Sequence, residues 1–221
     1  MSVRGAFVYL ALMVLLCGCT APAPRTEGIP DLGRLRVVTR AGDVPGYDRS
    51  CQKGRHACSF GPAWTDDNGT TWGHDGCDTR AQVLARDLEQ VVFKPGTHRC
   101  VVVSGQLRDP YTDRTVDYRR GANPQPVQVD HVFGLGSVWD RGAASWPQSL
   151  RTDLANDPRN LLATTAAVNE SKSDKTPQDW RPPARSGWCT YARHFYDVAV
   201  AYDLAVTRGD VRALKTMLQT C

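Results

Sequence analysis

The sequence QPVQVDHVF, residues 125–133, alternates apolar and polar side chains and predicts a short strand that ends near His131. Further along, NLLATTAAVNESKSDK, residues 160–175, begins with a brief apolar strand and continues as a short helix. Apolar residues at helical spacing occupy 136–156 between the two segments. The order of strand, helical insert, strand and helix predicts an α+β fold.

The flanking segments add further elements to this core. Asp78 is placed to cap a helix that runs to about Gln90, and residues 99–107 and 114–120 flank a turn-rich link as a β-hairpin. The tail is helical, with a capping box formed by Thr207 and Asp210. We therefore expect extra helices around the core, with a loop-rich region before residue 77.

The N-terminus predicts export. Arg4 precedes the apolar run AFVYLALMVLL, residues 6–16, which has the length of a signal peptide and is too short for a confident membrane span. The run leads into LCGC, which resembles the lipobox of bacterial lipoproteins, with Cys19 as the lipidated residue. An ordinary secretory signal cleaved nearby is the alternative.

These features divide the chain into three parts. Residues 1–18 are interpreted as the signal peptide, and the Pro/Gly-rich residues 19–40 as a tether to the membrane. Residues 41–221 then form one domain, with a catalytic core at 125–183. The predicted location is extracytoplasmic, held at the membrane by the lipid anchor or, alternatively, secreted.

Cysteine content agrees with export. Apart from Cys17 and Cys19, the chain contains Cys51, Cys58, Cys77, Cys100, Cys189 and Cys221. In an oxidising compartment these suggest three disulfides, and we predict Cys51–Cys58, Cys77–Cys100 and Cys189–Cys221, although the sequence alone permits other pairings. The alternative is a zinc site formed by Cys51, Cys58, His74 and Cys77.

The formal net charge of +4 is compatible with a polyanionic partner but does not identify one. The polar residues of the core are more informative, because they are the set that phosphodiester hydrolysis requires. His131 is a candidate general base, and Asn160 is a candidate to orient it. Asp130 and Asn169 offer the oxygen ligands of a hard divalent cation, and Lys172 lies one helical turn after Asn169 as a candidate phosphate contact.

One geometric requirement follows from this assignment. Neighbouring residues on a regular strand point to opposite faces, so Asp130 and His131 serve one site only if the strand ends or twists there. Gly134 and Gly136 just beyond them are compatible with such an ending.

A longer series of segments resembles a known family. CDTRAQVLARDL, SGQLRDPYT, VQVDHV, GAASW, LANDPRNLLAT, NESKSDKTPQDWRPP and CTYARHF follow one another in the order typical of secreted bacterial HNH endonucleases. These are similar to the C-terminal nuclease domain of the GmrSD restriction enzymes. The resemblance covers residues 47–221 and implies a ββα-metal (HNH) core, elaborated by extra helices and a disulfide-stapled N-terminal loop region.

The resemblance also implies roles for individual residues. His131 is the general base, Asp130 and Asn169 hold the metal, and Asn160 fixes the loop of the base. Apart from the resemblance, the hardness of the oxygen ligands makes Mg²⁺ the expected ion, with Mn²⁺ and Zn²⁺ as alternatives, and in-line attack by water would give products with 5′-phosphate and 3′-hydroxyl ends. The chain departs from the family pattern at VFGLG (132–136), at KSD (172–174) and at Asp113, and none of these changes removes a proposed ligand.

The sequence thus predicts an exported, metal-dependent endonuclease of low sequence specificity that acts on nucleic acid, DNA in the first instance. Its contacts are expected mainly with the phosphate backbone, and its only membrane contact through the lipid anchor. The alternative is a non-catalytic cell-envelope lipoprotein on an HNH-like scaffold.

Overall fold

The structure is a computed structural model that describes Met1 and residues 28–50 and 58–221. The predicted signal peptide, the lipidation site Cys19, most of the predicted tether and Cys51 lie outside the described residues. None of the helices in the described ranges combines the length and apolar content needed to cross a membrane.

The described chain is a mixed fold of strands and helices, which confirms the predicted α+β class. The strands are β1 Arg36–Val38, β2 Leu88–Phe93, β3 Val102–Arg108, β4 Thr115–Arg119, β5 Val127–His131, β6 Leu161–Thr165 and β7 Ala205–Thr207. The helices are α1 Thr79–Asp87, α2 Leu135–Asp140, α3 Gln148–Asn156, α4 Ala166–Lys172, α5 Trp188–Ala201 and α6 Arg208–Leu218.

The strands form three small sheets. β1 and β7 pair in parallel, β2, β3 and β4 form an antiparallel meander, and β5 and β6 form an antiparallel pair. The β5–β6 register places Asp130 opposite Leu162 and His131 opposite Leu161. Since α4 begins directly after β6, two antiparallel strands and a helix lie together at the centre of the predicted core.

The predicted helix after Asp78 is shorter than expected. Asp78 caps α1 as predicted, with its side chain accepting a hydrogen bond from the backbone of Ala81, but the helix ends at Asp87. Residues 88–93 form β2 instead, because their backbone pairs with β3 and their β-branched residues suit a strand. The predicted hairpin, β3 and β4, is confirmed and becomes part of a three-stranded sheet.

Two apolar clusters flank the β5–β6 pair. Val127 and Val129 of β5 pack with α1 and the three-stranded sheet in one cluster. Val132 and Phe133, just after β5, pack with α2, α5 and α6 in the other, where the Phe133 ring stacks on Phe195 at 4.2 Å. The chain therefore passes from one core into the other just after β5, and the last residues of β5 lie at the boundary between them.

The C-terminal helices are fixed by polar groups as well. The capping box predicted for Thr207 and Asp210 is present at the start of α6. Asp210 is also fully buried and pairs with Arg141 at 3.1 Å, which links α6 to the end of α2.

The end of the predicted tether is part of the folded domain. Residues 36–38 form β1 against β7, Leu35 is buried, and the hydroxyl of Tyr196 donates to the backbone oxygen of Asp31. Part of the predicted tether, residues 19–40, therefore packs onto the domain, because apolar residues of this segment such as Leu35 complete the larger core.

Two of the predicted disulfides are present, joining Cys77 to Cys100 and Cys189 to Cys221. The third prediction, Cys51–Cys58, involves a residue outside the described part of the chain. The alternative zinc site is wrong, because the sulfur of Cys77 is bonded to Cys100 and is not a thiolate ligand.

The Cys189–Cys221 disulfide ties the first turn of α5 to the last residue of the chain across a separation of 32 residues. We expect the double replacement Cys189→Ser/Cys221→Ser to lower the free energy of unfolding by about 3 kcal/mol, because the cross-link restricts the unfolded chain. Urea denaturation of the oxidised proteins measures this loss. An unchanged midpoint, with an unchanged slope, would contradict a stabilising role.

Candidate nuclease site

The residues predicted to form the site meet at one cavity of about 400 Å³, which we call the polar cavity. Its walls are Arg49, Gln128, Val129, Asp130, His131, Gly134, Leu135, Asn169, Glu170, Ser173 and Asp174. Asp130 and His131 both reach it because β5 ends at His131, so the cavity lies at a strand end rather than on one face of a sheet. The structure thus brings Asp130, His131 and Asn169 together.

The imidazole of His131 is held in one orientation. Its Nε2 lies 2.9 Å from the backbone oxygen of Ala155, and its ring stacks on the indole of Trp64 at 5.4 Å. Because a carbonyl oxygen only accepts hydrogen bonds, Nε2 of the neutral ring carries the proton and Nδ1 keeps a free lone pair. Nδ1 is therefore the atom of this residue that can accept a proton.

The pKa of His131 favours the neutral form of the ring. Burial, and after it the positive charge of Arg49, lower the pKa of its imidazole to about 3, against the effect of the hydrogen bond that the ring donates to the backbone oxygen of Ala155. His131 is 8% exposed, so the neutral ring is favoured by desolvation at any pH above this value. The imidazole is therefore unprotonated at neutral pH.

Asn160 fixes the backbone that follows His131. Its side-chain oxygen accepts from the backbone N–H of Phe133 at 2.8 Å, and its amide nitrogen donates to the carbonyl of Phe133 at 3.2 Å. Its own backbone oxygen accepts from Val132 at 2.8 Å. Asn160 is completely buried, so it acts on this loop and makes no contact with solvent.

The glycines after His131 allow a close approach of the loop that follows α4. A Cβ on Gly134 would lie 2.6 Å from Oδ1 of Asp174, and Gly136 donates its backbone N–H to the same oxygen at 3.0 Å. A larger residue at 134 would collide with the backbone of Asp174 as well. The glycines thus bring Asp174 to the wall of the cavity.

The carboxylate of Asp130 is held from two sides. Oδ1 accepts from Nζ of Lys172 at 2.8 Å, and Oδ2 accepts from the hydroxyl of Tyr111 at 2.8 Å. Burial raises the pKa of Tyr111 well above its usual value, so its hydroxyl stays protonated and donates. Each carboxylate oxygen has a second lone pair, so these bonds orient Asp130 without using all its acceptor sites.

Lys172 is not placed at the wall of the polar cavity. It is 0% exposed, and its Nζ also donates to the backbone oxygens of His131 at 2.7 Å and Ser173 at 3.3 Å. With these acceptors and Asp130, the ammonium group has its full complement of partners inside the protein. The predicted contact of Lys172 with a substrate phosphate therefore has no support in this arrangement.

Asn169 lies on α4, and its amide nitrogen donates to Oε1 of Gln128 at 2.8 Å. This bond leaves the amide oxygen as the atom that can bind a cation. Within the described residues, no cluster of three or more His, Cys, Asp or Glu side chains is arranged to hold a metal ion. Any ion here would have few protein ligands, which is the usual way in which Mg²⁺ binds together with substrate phosphates.

The sequence reasoning missed Arg49, Trp64 and the hydroxyl of Tyr111. Arg49 and Trp64 come from the loop-rich N-terminal region, and their contact with the site depends on how that region folds over β5. Tyr111 is buried in the core, and its bond to Asp130 spans 19 residues, so no local sequence signal marks it.

Comparison with known proteins shows the family of the chain. Residues 78–214 match the model of the C-terminal domain of GmrSD restriction endonucleases. The chain belongs to the GmrSD C-terminal domain family.

A second similarity covers nearly the whole chain. An uncharacterized secreted protein of Arthroderma benhamiae (strain ATCC MYA-4681 / CBS 112371) is 35% identical over 225 residues, which are 97% of this chain and 99% of that protein. No solved structure matches the chain. The GmrSD family match includes all the predicted site residues from Asp130 to Lys172, whereas Arg49 and Trp64 precede it.

Proposed function

We propose that this member of the GmrSD C-terminal domain family is an exported endonuclease of the HNH type that hydrolyses phosphodiester bonds of nucleic acid. The observation that carries the proposal is the imidazole of His131, whose Nδ1 lone pair is left free by the Nε2–Ala155 bond, in one cavity with Asp130 and Asn169. The strand pair β5–β6 and α4 would then be a ββα-metal core.

The reaction assigns one proton transfer to His131. A water molecule gives a proton to Nδ1, and its oxygen forms a bond to phosphorus while the bond to the 3′-oxygen breaks. The leaving oxygen takes a proton from solvent, and the products carry 5′-phosphate and 3′-hydroxyl ends. Asn160 is a positioning residue here, because it holds the backbone just after His131 and touches no substrate.

The charges of the cavity support a divalent cation in this proposal. Three carboxylates line the cavity, those of Asp130, Glu170 and Asp174, and they would repel a phosphodiester unless a cation lay between them. Asp130 and the amide oxygen of Asn169 would hold it, and Mg²⁺ suits these oxygen ligands, with Mn²⁺ or Zn²⁺ as alternatives. Such an ion would supply positive charge that stabilises the leaving oxygen.

Location outside the cytoplasm is part of the same proposal. The disulfides Cys77–Cys100 and Cys189–Cys221 suit an oxidising compartment, and the similar protein of Arthroderma benhamiae is described as secreted. Lipidation at Cys19 would add a membrane anchor, which mass spectrometry of the exported protein can detect.

The proposal predicts cleavage of circular DNA, since only an endonuclease opens a molecule without ends. We expect the protein to cut circular single-stranded and supercoiled DNA with Mg²⁺, to lose this activity in EDTA and to regain it when Mg²⁺ is restored. Gel electrophoresis measures the products. Cleavage that persists in EDTA would contradict the proposed dependence on a divalent cation. Intact DNA and RNA with Mg²⁺ and Mn²⁺ would favour the non-catalytic alternative.

Arg49 is our candidate for the phosphate contact originally expected of Lys172. Its exposed side chain lines the cavity beside His131, and no carboxylate among the described residues pairs with its guanidinium. We expect Arg49→Ala to raise KM about tenfold with a smaller change in kcat, because a charge-assisted hydrogen bond to phosphate is lost.

Steady-state kinetics at low salt measures this effect, and Arg49→Lys should keep part of the affinity because it retains the charge. Arg120→Ala is the matched control, since Arg120 is exposed in the turn after β4 and away from the cavity. Equal KM values for Arg49→Ala and the wild type would contradict the assignment.

A further inference from the structure

A second cavity lies against His131. It has a volume of about 150 Å³ and shares Arg49, His131 and Leu135 with the polar cavity. Its remaining lining is mostly apolar and comes from the N-terminal loop: Phe60, Gly61, Pro62, Ala63 and Trp64, together with Ala155 of α3. We call it the apolar cavity.

The position of the apolar cavity relates it to the proposed reaction. Trp64 forms part of its wall and stacks on the imidazole of His131 with an angle of 12° between the rings. Arg49 lines both cavities. Its guanidinium group suits a phosphate in the polar cavity, and the space on its other side is apolar. A ligand that fills both cavities must join an anionic group to a flat apolar group over a short distance.

A nucleotide has this chemistry. Its phosphate suits Arg49 and the polar cavity, and its base has an apolar face that stacks on aromatic and apolar side chains. In a duplex each base is paired and stacked inside the helix, so it cannot enter a protein cavity while its phosphate lies at the active site. An unpaired base in a single strand is free to do so.

We propose that the apolar cavity binds the base of an unpaired nucleotide next to the scissile phosphate, and that the substrate is therefore single-stranded nucleic acid. This inference rests on the proposed nuclease function and specifies its substrate class. The contact is with the face of the base, so it gives strand selectivity without a strong sequence preference.

Cleavage rates test the inference directly. We expect the wild type to cleave a single-stranded oligonucleotide at least about tenfold faster than the matched duplex, which is within the effect of one base stacked on an aromatic side chain. Ala63→Leu places a larger side chain at the wall of the apolar cavity, where Ala63 is exposed. It should lower the single-strand kcat/KM about tenfold and leave duplex cleavage nearly unchanged.

Ala201→Leu is the matched control, because Ala201 is exposed at the end of α5 and outside both cavities. It should leave both rates unchanged. Equal cleavage of single strands and duplexes by the wild type would overturn the inference. So would an Ala63→Leu variant with normal single-strand cleavage.

A binding measurement separates the inference from the nuclease proposal. With Ca²⁺ in place of Mg²⁺, so that a cation still offsets the carboxylates of the polar cavity, fluorescence anisotropy compares a labelled single strand with the same strand carrying abasic residues. We expect the abasic strand to bind about tenfold more weakly to the wild type, and we expect Ala63→Leu to remove this difference. Equal binding of the two strands to the wild type would overturn the base site, whether or not the protein cleaves. Base-dependent binding without any cleavage would instead contradict only the nuclease function.

Discussion

Replacing His131 with asparagine is expected to lower kcat by a factor of about 10²–10⁴, the range that general-base catalysis contributes. The variant removes Nδ1, the atom left free by the bond between Nε2 and Ala155, and with it the group that takes the proton from water. Asparagine is polar and smaller than histidine, so it fits the buried position without a buried charge. Initial rates on a labelled oligonucleotide with Mg²⁺ measure the loss.

The control for this prediction is His98→Asn. His98 is exposed and has a positive φ of 48°, a conformation that asparagine tolerates better than most residues. This variant should cleave at the wild-type rate. Circular dichroism and urea denaturation show whether His131→Asn is folded. A folded His131→Asn protein with wild-type kcat would exclude His131 as the base.

The sequence predicted the parts of the site that depend on local order. β5 ends at the Asp-His pair, β6 begins after Asn160, and α4 carries Asn169, because alternation and helical spacing are properties of short segments. The extension of α1 to Gln90 was wrong, since pairing with the distant β3 decides the conformation of residues 88–93. Helical and strand propensities are weak where tertiary pairing competes with them.

The sequence did not predict which groups each site residue contacts. Lys172 follows Asn169 by one turn, which correctly places both on α4, but the spacing does not say which side of the helix is buried. The contacts of Lys172 with Asp130 and His131 arise because α4 packs across the end of β5. Arg49 and Trp64 come from a loop, whose path over the strand no periodicity describes.

Lys172→Met is expected to lower the free energy of unfolding by about 3–5 kcal/mol, the usual effect of removing one partner of a buried ion pair. Nζ of Lys172 and Oδ1 of Asp130 are 2.8 Å apart, and the two side chains are 0% and 3% exposed. Without the ammonium group, the carboxylate of Asp130 would remain buried with only Tyr111 as a donor in the described contacts. Urea denaturation without nucleic acid measures this loss.

The control is Lys175→Met, because Lys175 is exposed and its Nζ bonds only to the backbone oxygen of Ser171 among the described contacts. Its stability should stay within about 0.5 kcal/mol of the wild type. In the double variant Asp130→Asn/Lys172→Met the loss should be smaller than the sum of the single losses, since neither charge is then left alone. A stable Lys172→Met protein with a raised KM would instead support the original prediction that Lys172 contacts a substrate phosphate. That outcome would mean that the ammonium group leaves Asp130 when nucleic acid binds, so the stability of the free protein decides between positioning and phosphate binding.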